Sequence, residues 1–483
     1  MTIYNTLTKK LEPLPQPDEQ KKLNMFVCGP TVYDYIHIGN ARTFVFFDVV
    51  AKYLRYRGYD VNYIQNITDI DNKIIEQAQK EGADPLEYAK KYSDIFKRDM
   101  LALGVTSPEY KNATDHIPEV IKQVQTLLDK GNAYVIENDG IYFDLSTFPD
   151  YGKLSGRTAS MADDAFSRID DSDKKRNRGD FAIWKFSQEG DPSWSLETGK
   201  YLGIIDSAAP AFAKASAGRP GWHIEDTAIT EKYFGPQYDI HGGGEDLKFP
   251  HHEAEIAQQE SASGLKPFVK YWIHSGFLIN KNEKMSKSLG NFNTANELLK
   301  KYSREVLRFY LLSNYYRSPL QFSEEILKQA QAAIQRITEF KQGLESAIET
   351  GKGTNSIEGL EKIKKEFFKK LDDDFNIPEA LGQFFHLVRF GNPILKWGLE
   401  KKDAESILEF ANKINEILGI IPGISEKIPT EILELRDRRE KLRKEEKWDD
   451  ADKIRAQIEK MGYQVEDTIY GSLVSKSNHN VIL

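Results

Sequence analysis

The early part of the chain alternates between strand-like and helix-like hydrophobic patterns. A short apolar run, LNMFVC from Leu23, predicts a strand, and GNARTFVFFDVVAKYLRYRG, which ends at Gly58, has the apolar repeat of a helix. The run DVNYIQNIT from Asp60 predicts the next strand. This order is typical of a βαβ unit, in which the end of the first strand and the start of the helix meet at one crevice. Cys28 and His37 flank that crevice.

In the middle of the chain the predicted secondary structure changes from helices to a hairpin and then to irregular structure. Helical patterns cover 85–103 and 118–130, and AYVIENDGIYFDL from Ala133 predicts a hairpin around 138–140. From 151 to 221 the pattern becomes irregular, and its alanine-rich stretch AAPAFAKASAG suggests a mobile insertion.

From Trp222 the α/β pattern returns. It predicts a helix after Trp222, a strand at Tyr238, a helix that begins near His251 and a strand at Tyr271. Together with the opening βαβ unit, this pattern predicts a doubly wound α/β sheet.

Beyond Ser303 the pattern is almost wholly helical until the last residues. TGKGTNS from Thr350 is a plausible linker into a helical bundle, and a second boundary falls near Ile420. An amphipathic, highly charged helix is then expected to run to Met461.

Composition narrows the class of protein. A length of 483 residues suggests about three domains, and 40% hydrophobic residues are enough for a sizeable core. The beginning of the sequence lacks the apolar core of a signal peptide, so we expect a cytoplasmic protein with no membrane association. The net charge of −8 argues against indiscriminate coating of nucleic acid, although local basic runs occur at 174–178 and from Arg436.

Cys28 is the only cysteine in the chain, which excludes an internal disulfide framework. The residue is therefore a buried bystander, a nucleophile or a metal ligand.

The turn His37-Ile38-Gly39-Asn40 opens the first helix. Free backbone N–H groups at a helix start favour anions, Gly39 leaves room for a flat ring, and His37 and Asn40 can donate to a phosphate. A purely structural, capped turn is the alternative interpretation.

A second candidate is KMSKS, from Lys284 to Ser288, which follows a predicted strand. Its two lysines can close over a polyphosphate and neutralise developing charge, whereas in isolation a solvated surface loop is the simpler interpretation. Because both candidates follow strands of one doubly wound sheet, they favour a nucleotide site. The sequence has no GxxxxGK[ST], so a nucleotide is not held by a P-loop.

The third candidate is HHEAE, in which His251 and Glu255 are four residues apart and share a helical face. That spacing suits two ligands of one metal, with Cys28 as a third ligand, while a surface hydrogen bond is the alternative. His252 and Glu253 are expected to point elsewhere.

These stretches carry a resemblance to a known family. In order along nearly the full length, the chain resembles bacterial cysteinyl-tRNA synthetases, which are class I aminoacyl-tRNA ligases, in FVCGPTVYDYIHIGNART, NITDIDNKI, RPGWHIE, DIHGGGEDLKFPHHEAEIAQ, GFLINKNEKMSKSLGNF and LDDDFNIPEAL. The resemblance implies a Rossmann-type catalytic domain over 1–305 with a connective insertion at about 130–225. A helical bundle over 306–420 and a small anticodon-recognition region over 421–483 would follow.

The resemblance also implies roles for individual residues. The turn at 37–40 would replace the family's HIGH signature, and 284–288 would be its KMSKS loop. The implied catalytic residues are His37, Asn40, Lys284 and Lys287; the implied ATP-binding residues add Gly39 and Ser286; and Thr68, Trp222 and His241 would line the amino-acid pocket.

The family's zinc site gives Cys28 a role. In the family, zinc binds the substrate thiolate at an open position, and the ligands carried over are Cys28, Asp226, His251 and Glu255. The usual WHIEC reads WHIED here, which replaces a cysteine by Asp226. The formal charge of the ligand set is unchanged, but a carboxylate is harder than a thiolate. We therefore expect an occupied but weaker site that tolerates harder metals.

The implied reaction is ligation of L-cysteine to tRNA(Cys) through cysteinyl-adenylate, with Mg²⁺ bound to ATP, in a protein expected to be a monomer. Two alternatives remain open at this point. One is a ligase that joins cysteine to an amino sugar, and the other is a tRNA-binding paralogue whose zinc site is impaired by Asp226.

Overall fold

The structure is a computed structural model that describes residues 1–157, 174–205, 217–221, 223–280, 283–284, 293–423, 429–468 and 471–476. The chain divides into two compact units. The first unit comprises Met1–Lys300 and Tyr316–Gln321, and the second comprises Lys301–Tyr315 and Phe322–Leu483. The three-domain division with boundaries at 305 and 420 stays a prediction.

The strands of the first unit are β1 (Thr2–Asn5), β2 (Lys10–Pro13), β3 (Lys22–Val27), β4 (Asp60–Ile67), β5 (Glu109–Asn112), β6 (Ala133–Ile136), β7 (Gly140–Phe143), β8 (Phe181–Phe186), β9 (Pro192–Ser195), β10 (Tyr201–Ile204), β11 (Ala217–Pro220), β12 (Tyr238–Gly244), β13 (Val269–Ser275), β14 (Leu278–Asn280), β15 (Glu283–Lys284) and β16 (Leu320–Gln321). Its helices are α1 (Ile38–Tyr56), α2 (Asn72–Glu81), α3 (Pro85–Ala102), α4 (Ile117–Asp129), α5 (Ile224–Phe234), α6 (His251–Ser263) and α7 (Ala295–Leu299).

Where the structure describes it, the second unit is helical apart from one hairpin. Its elements are α8 (Arg304–Leu312), α9 (Glu324–Thr350), α10 (Leu360–Asp372), α11 (Ile377–Trp397), α12 (Lys401–Leu418), α13 (Thr430–Lys444), α14 (Trp448–Lys460), β17 (Tyr463–Thr468) and β18 (Gly471–Lys476). No helix among the described residues has the length and apolar character needed to span a membrane.

A five-stranded parallel sheet, in the order β13-β12-β3-β4-β5, organises the first unit. The chain begins this sheet at β3, moves outward through β4 and β5, and later returns to the other side of β3 through β12 and β13. The strand order therefore reverses between β3 and β12, and such a reversal leaves a crevice at the carboxyl ends of the two strands. The predicted doubly wound α/β fold is confirmed.

Helix α1 covers this sheet and is buried along most of its length, which explains its nearly continuous apolar sequence. The helix approaches β12 so closely that a Cβ atom on Gly242 would lie 2.3 Å from the ring of Phe47. Glycine is therefore required at this point of the sheet because any side chain would push α1 outward.

The insertion forms its own antiparallel sheet, in the order β10-β9-β11-β8-β7-β6. The hairpin predicted around 138–140 is confirmed: Ile136 pairs with Gly140, and Asn138 has a φ of 61° at the turn. The expectation of irregular structure from 151 to 221 is wrong for β8 to β11, because these strands are too short for a period of two to stand out in sequence. The alanine-rich stretch occupies 208–218, and its residues 208–216 lie outside the described residues.

The second unit packs its long helices around buried aromatic side chains such as Phe340, Phe367, Phe384 and Phe410. The break predicted after Thr350 is present, since α9 ends there and α10 begins at Leu360.

The single helix predicted to reach Met461 is wrong. The described chain instead forms α13 and α14, with Glu446 at a φ of 61° between them. The turn lets Ile454 and Ile458 pack with Ile432 of α13 in one apolar cluster, which a continuous helix would keep apart.

Gly242→Ala should destabilise the protein by about 1–3 kcal/mol, because the added methyl group overlaps the Phe47 ring. Urea denaturation followed by circular dichroism measures the change. Gly382→Ala is the matched control: it lies in the interior of α11, has nothing within 4 Å of its added Cβ, and should stabilise by about 1 kcal/mol. Equal stability of Gly242→Ala and the wild type would contradict the close packing of α1 on β12.

Candidate active site and metal centre

The crevice at the β3–β12 reversal contains a cavity of about 660 Å³. Its lining includes Cys28 after β3, the turn residues His37, Gly39 and Asn40 at the start of α1, and Gly244 at the end of β12. The topology thus brings Cys28 and the turn at 37–40 to one place.

His37 caps the first turn of α1. Its Nδ1 accepts hydrogen bonds from the backbone N–H groups of Gly39 and Asn40, at 3.1 and 3.3 Å. A Cβ atom on Gly39 would lie 2.8 Å from the His37 ring, so glycine is needed for this arrangement. The capped turn that the sequence left open is therefore present, and the ATP contacts of these residues stay a prediction.

Arg42 anchors the chain on the far side of the crevice. This buried guanidinium donates to the carbonyl oxygens of Gly276 and Phe277 at 2.9 and 3.0 Å and to that of Ser318 at 2.7 Å. It thereby fixes the start of the segment that continues through β14 and β15. Sequence reasoning did not select Arg42, although an arginine just before the apolar run at 44–47 is a usable signal.

The KMSKS candidate is only partly described. The backbone of Lys284 lies in β15 and pairs with Ile279, whereas Ser286 and Lys287 lie outside the described residues. The roles predicted for these three residues stay predictions.

Cys28 is the centre of a buried cluster. Its sulfur lies 3.5 Å from both Asp226 Oδ2 and Glu255 Oε1, and 3.2 Å from the Nε2 atoms of His241 and His252. All five side chains are more than nine-tenths buried.

His251 closes the cluster from α6. Its Nε2 lies 2.9 Å from Glu255 Oε1 and 3.0 Å from Asp226 Oδ2, so the four side chains selected from the sequence converge on one point. The ligand atoms of Cys28, His251, His252 and Glu255 all lie within 4.8 Å of one another, an arrangement that can hold a metal ion.

The expectation that His252 points elsewhere is wrong. The beginning of α6 is buried on all sides, so two consecutive residues can both face protein and both reach Cys28. Glu253 does turn away: its carboxylate accepts hydrogen bonds from the backbone N–H groups of Gly152, Leu154 and Ser155.

Neighbouring groups orient the two histidines that touch Cys28. His252 Nδ1 lies 2.8 Å from His274 Nε2, and the hydroxyl of Tyr238 lies 2.6 Å from His241 Nδ1. Burial lowers the pKa of both His241 and His252, with nearby histidines acting in the same direction. Both rings are therefore neutral near pH 7 and able to act as electron-pair donors.

Electrostatics in the cluster oppose a thiolate when no cation is present. Burial raises the pKa of the Cys28 thiol well above its usual range, and the charges of Glu255 and Asp226 raise it further. Burial alone would lower the pKa of His251, but Glu255 and Asp226 outweigh it and raise that pKa to about 10. Without a metal, Cys28 is therefore a thiol and His251 an imidazolium, and a metal must displace those protons.

Two buried carboxylate oxygens of the cluster are evidence for a cation-binding site. Among the described residues, Asp226 Oδ1 and Glu255 Oε2 are buried without a hydrogen-bond partner. Buried carboxylate oxygens are costly unless they are hydrogen-bonded, paired or bound to a metal. One sulfur, one imidazole and two carboxylates form a donor set that suits a divalent transition metal.

Thr68 lies at the end of β4, where it bridges Thr31 in the loop after Cys28. Its hydroxyl donates to Glu225 Oε1 at 3.3 Å and accepts from Asn66 Nδ2 at 3.2 Å. Trp222, the other residue predicted beside His241, lies outside the described residues.

Comparison with known proteins identifies the family. The family described as tRNA synthetases class I (C) catalytic domain matches residues 14–332, and the DALR domain matches residues 366–422. The chain is 44% identical to the cysteine–tRNA ligase of Carboxydothermus hydrogenoformans, over 98% of this chain and 99% of that protein. The chain belongs to the cysteinyl-tRNA synthetase family.

Other members are similarly close. The cysteine–tRNA ligase of Caldicellulosiruptor saccharolyticus is 41% identical over 99% of this chain and 100% of its own length. The cysteine–tRNA ligase of Thermococcus gammatolerans is 41% identical over 98% of each chain. Membership makes this chain an aminoacyl-tRNA ligase of class I.

Solved structures support the fold across greater sequence distance. Methionyl-tRNA synthetase of Mycobacterium tuberculosis, solved with methionyl-adenylate, aligns with a TM-score of 0.60 at 16% identity, over 83% of this chain and 92% of that one. The leucyl-tRNA synthetase of Agrobacterium radiobacter aligns with a TM-score of 0.61 at 11% identity, over 83% and 84% of the two chains. Cysteinyl-tRNA synthetases share this class I fold.

The purified protein should bind one divalent metal. Glu255→Gln should weaken that binding by more than about tenfold, because even the loss of a residue that only hydrogen-bonds to a metal ligand lowers metal affinity by about 10–100-fold. Metal analysis and competition with a chelator measure the affinity. Because Cys28 must lose its proton, affinity should fall with decreasing pH by about tenfold per unit for each proton released. Glu253→Gln, beside the cluster but turned away from it, is the control.

Asp226→Cys should tighten zinc binding relative to manganese, because a second thiolate makes the site softer. Competition between the two metals on the wild type and the variant measures the change in preference. An unaltered zinc-to-manganese ratio would contradict a ligand role for Asp226.

Proposed function

We propose that the chain attaches L-cysteine to tRNA(Cys) with ATP, and that cysteine is activated in the crevice between β3 and β12. The observation that carries this proposal is the convergence of Cys28, Asp226, His251 and Glu255 beside the turn that His37 caps. A metal-binding cluster adjoining a class I nucleotide crevice matches the needs of a sulfur-containing substrate.

Zinc is the metal that we propose for these four residues, and when bound it supplies an open position that prefers a thiolate to a hydroxyl. Asp226 fits this role because its Oδ2 lies 3.0 Å from His251 Nε2 and its other oxygen is buried without a partner among the described residues. Thr68, Trp222 and His241 are the proposed remainder of the amino-acid pocket.

The reaction has two steps. A carboxylate oxygen of cysteine attacks the α-phosphorus of Mg²⁺-bound ATP, and the bond to the β-phosphate oxygen breaks to release pyrophosphate. A ribose hydroxyl at the end of the tRNA then attacks the carbonyl carbon, its proton is lost, and AMP departs with the electrons of the broken acyl–phosphate bond.

The protein contributes mainly position and charge to these steps. His37, Gly39 and Asn40 are proposed to hold ATP at the start of α1, where the helix dipole favours phosphate. Lys284, Ser286 and Lys287 are proposed to contact the polyphosphate, and Lys284 and Lys287 to stabilise the charge that develops on pyrophosphate.

Binding of the tRNA is proposed for the second unit, with anticodon recognition in 421–483. Trp448 at the start of α14 is 53% exposed, and the guanidinium of Arg443 lies 5.2 Å from its ring. An exposed aromatic ring beside a cation is suited to stacking on an unpaired RNA base. We further propose that the protein works as a monomer in the cytoplasm.

The two alternative functions are less well supported. A ligase for an amino sugar has no use for a second unit with an exposed aromatic and basic surface. A metal-free paralogue is disfavoured because Asp226 lies within the cluster rather than outside it.

The protein should catalyse ATP–pyrophosphate exchange that depends on cysteine. Its preference for cysteine over serine should exceed about 10², which is near the limit for a pocket without specific ligation. Radiolabelled pyrophosphate incorporation measures both rates. A second assay offers tRNA(Cys) and an amino sugar as competing acceptors, and transfer of cysteine to the tRNA would separate the proposed function from the amino-sugar ligase. ATP–pyrophosphate exchange that does not depend on cysteine would refute the proposed function.

Lys287→Ala should lower the rate of adenylate formation by about 10²–10³, the usual effect of losing one group that stabilises developing charge. The KM for cysteine should stay within about threefold of the wild-type value, because Lys287 is not proposed to contact cysteine. Lys281→Ala, three residues before Lys284, is the charge-matched control. Normal exchange by Lys287→Ala would remove that lysine from the mechanism.

A further inference from the structure

The second unit contains a groove of about 690 Å³ between α8, α9 and α11. Its apolar walls include Phe309 from α8, Ile326 and Ala333 from α9, and Phe385 and Val388 from α11. Ala330 and Ala333 of α9 also line the groove, and their small side chains fill little of its volume.

The two aromatic rings define the shape of the groove. Phe309 and Phe385 meet edge to face, with ring centroids 5.7 Å apart. Both side chains are only partly buried, so part of each ring is exposed to an incoming group. An exposed aromatic ring in a groove is suited to stacking on a flat, unsaturated ligand.

Two arginines supply the charge. Arg336 and Arg389 line the groove, are exposed, and form no ion pair with a carboxylate among the described residues. Arg336 also lies 5.9 Å from the centroid of Phe385. Among the described residues, no aspartate or glutamate lines the groove, although the chain contains 74 aspartates and glutamates. Its charge is therefore opposite in sign to that of the chain as a whole.

We propose that this groove binds an unpaired nucleotide of the tRNA, with the base against Phe309 and Phe385 and the phosphate at Arg336 and Arg389. A nucleotide combines the two properties that the lining selects, a flat apolar ring and an adjacent negative charge. Gln329 and Asn392, which also line the groove, can donate to and accept from a base edge. The proposal rests on the proposed function, since tRNA is the polyanion which that reaction supplies.

The test uses the full-length protein and the double variant Arg336→Gln/Arg389→Gln. We expect the KM for tRNA to rise about tenfold, with kcat for charging and cysteine-dependent ATP–pyrophosphate exchange unchanged. The magnitude of the slope of log affinity against log salt should fall by about 0.7, because the two arginines are proposed to contact one single-stranded phosphate and each such phosphate contributes about 0.7. A purely structural effect would not change that slope.

A second variant probes the stacking surface. Phe385→Leu keeps an apolar side chain and both arginines, so it should weaken tRNA binding while the salt slope stays at its wild-type value. Thermal unfolding checks that each variant is folded. Lys328→Gln is the charge control, because Lys328 is an exposed cation of α9 that does not line the groove.

The possible results are distinct. Wild-type affinity and salt slope in both variants would overturn the proposal, as would a wild-type dimer that these substitutions convert to a monomer. Binding of free UMP that the substitutions abolish, with tRNA binding intact, would also overturn it in favour of a small-nucleotide site. If the wild-type protein itself shows no cysteine-dependent ATP–pyrophosphate exchange, the proposed function is refuted instead.

Discussion

The contact of the Cys28 sulfur with the carboxylates of Asp226 and Glu255 joins three distant parts of the first unit in one buried cluster. Three groups that can each carry negative charge lie in an interior that excludes water, where unpaired charge is costly. His251 offsets part of that charge, because the two carboxylates raise its pKa and so favour its protonated form. The negative charge that His251 does not offset favours a cation among these side chains. A bound metal would therefore also stabilise the folded protein at this point.

Chain topology explains how such distant residues meet. Cys28 follows β3 and Glu255 belongs to α6, and only a parallel sheet whose order reverses at β3 and β12 brings them to one crevice. Gly242 lets α1 lie close to that sheet, and Arg42 on α1 then holds three carbonyl groups across the crevice. The nucleotide crevice and the metal cluster are therefore supported by the same packing between α1 and β12.

The parts of the site that follow local rules could be predicted from sequence. Cys28 directly follows a strand, and His251 and Glu255 share a helical face, so local patterns select these residues, whereas their convergence depends on the order of the strands. His252 was missed because α6 is buried all round and has no outward face for periodicity to reveal. The strands β8 to β11 and the turn at Glu446 were missed for a related reason: short strands and a reversal inside a charged run depend on contacts with residues far along the chain.

Asp226 also changes how the centre responds to oxidants. A thiol at that position would lie close to Cys28, and two adjacent thiols can be oxidised to a disulfide that no longer binds metal. With a carboxylate in its place, and with Cys28 as the only cysteine in the chain, no such bond can form within the molecule. The carboxylate is a harder ligand than a thiolate, but it prevents a disulfide within the centre. Thiol oxidation there is restricted to the single sulfur atom of Cys28, which is buried.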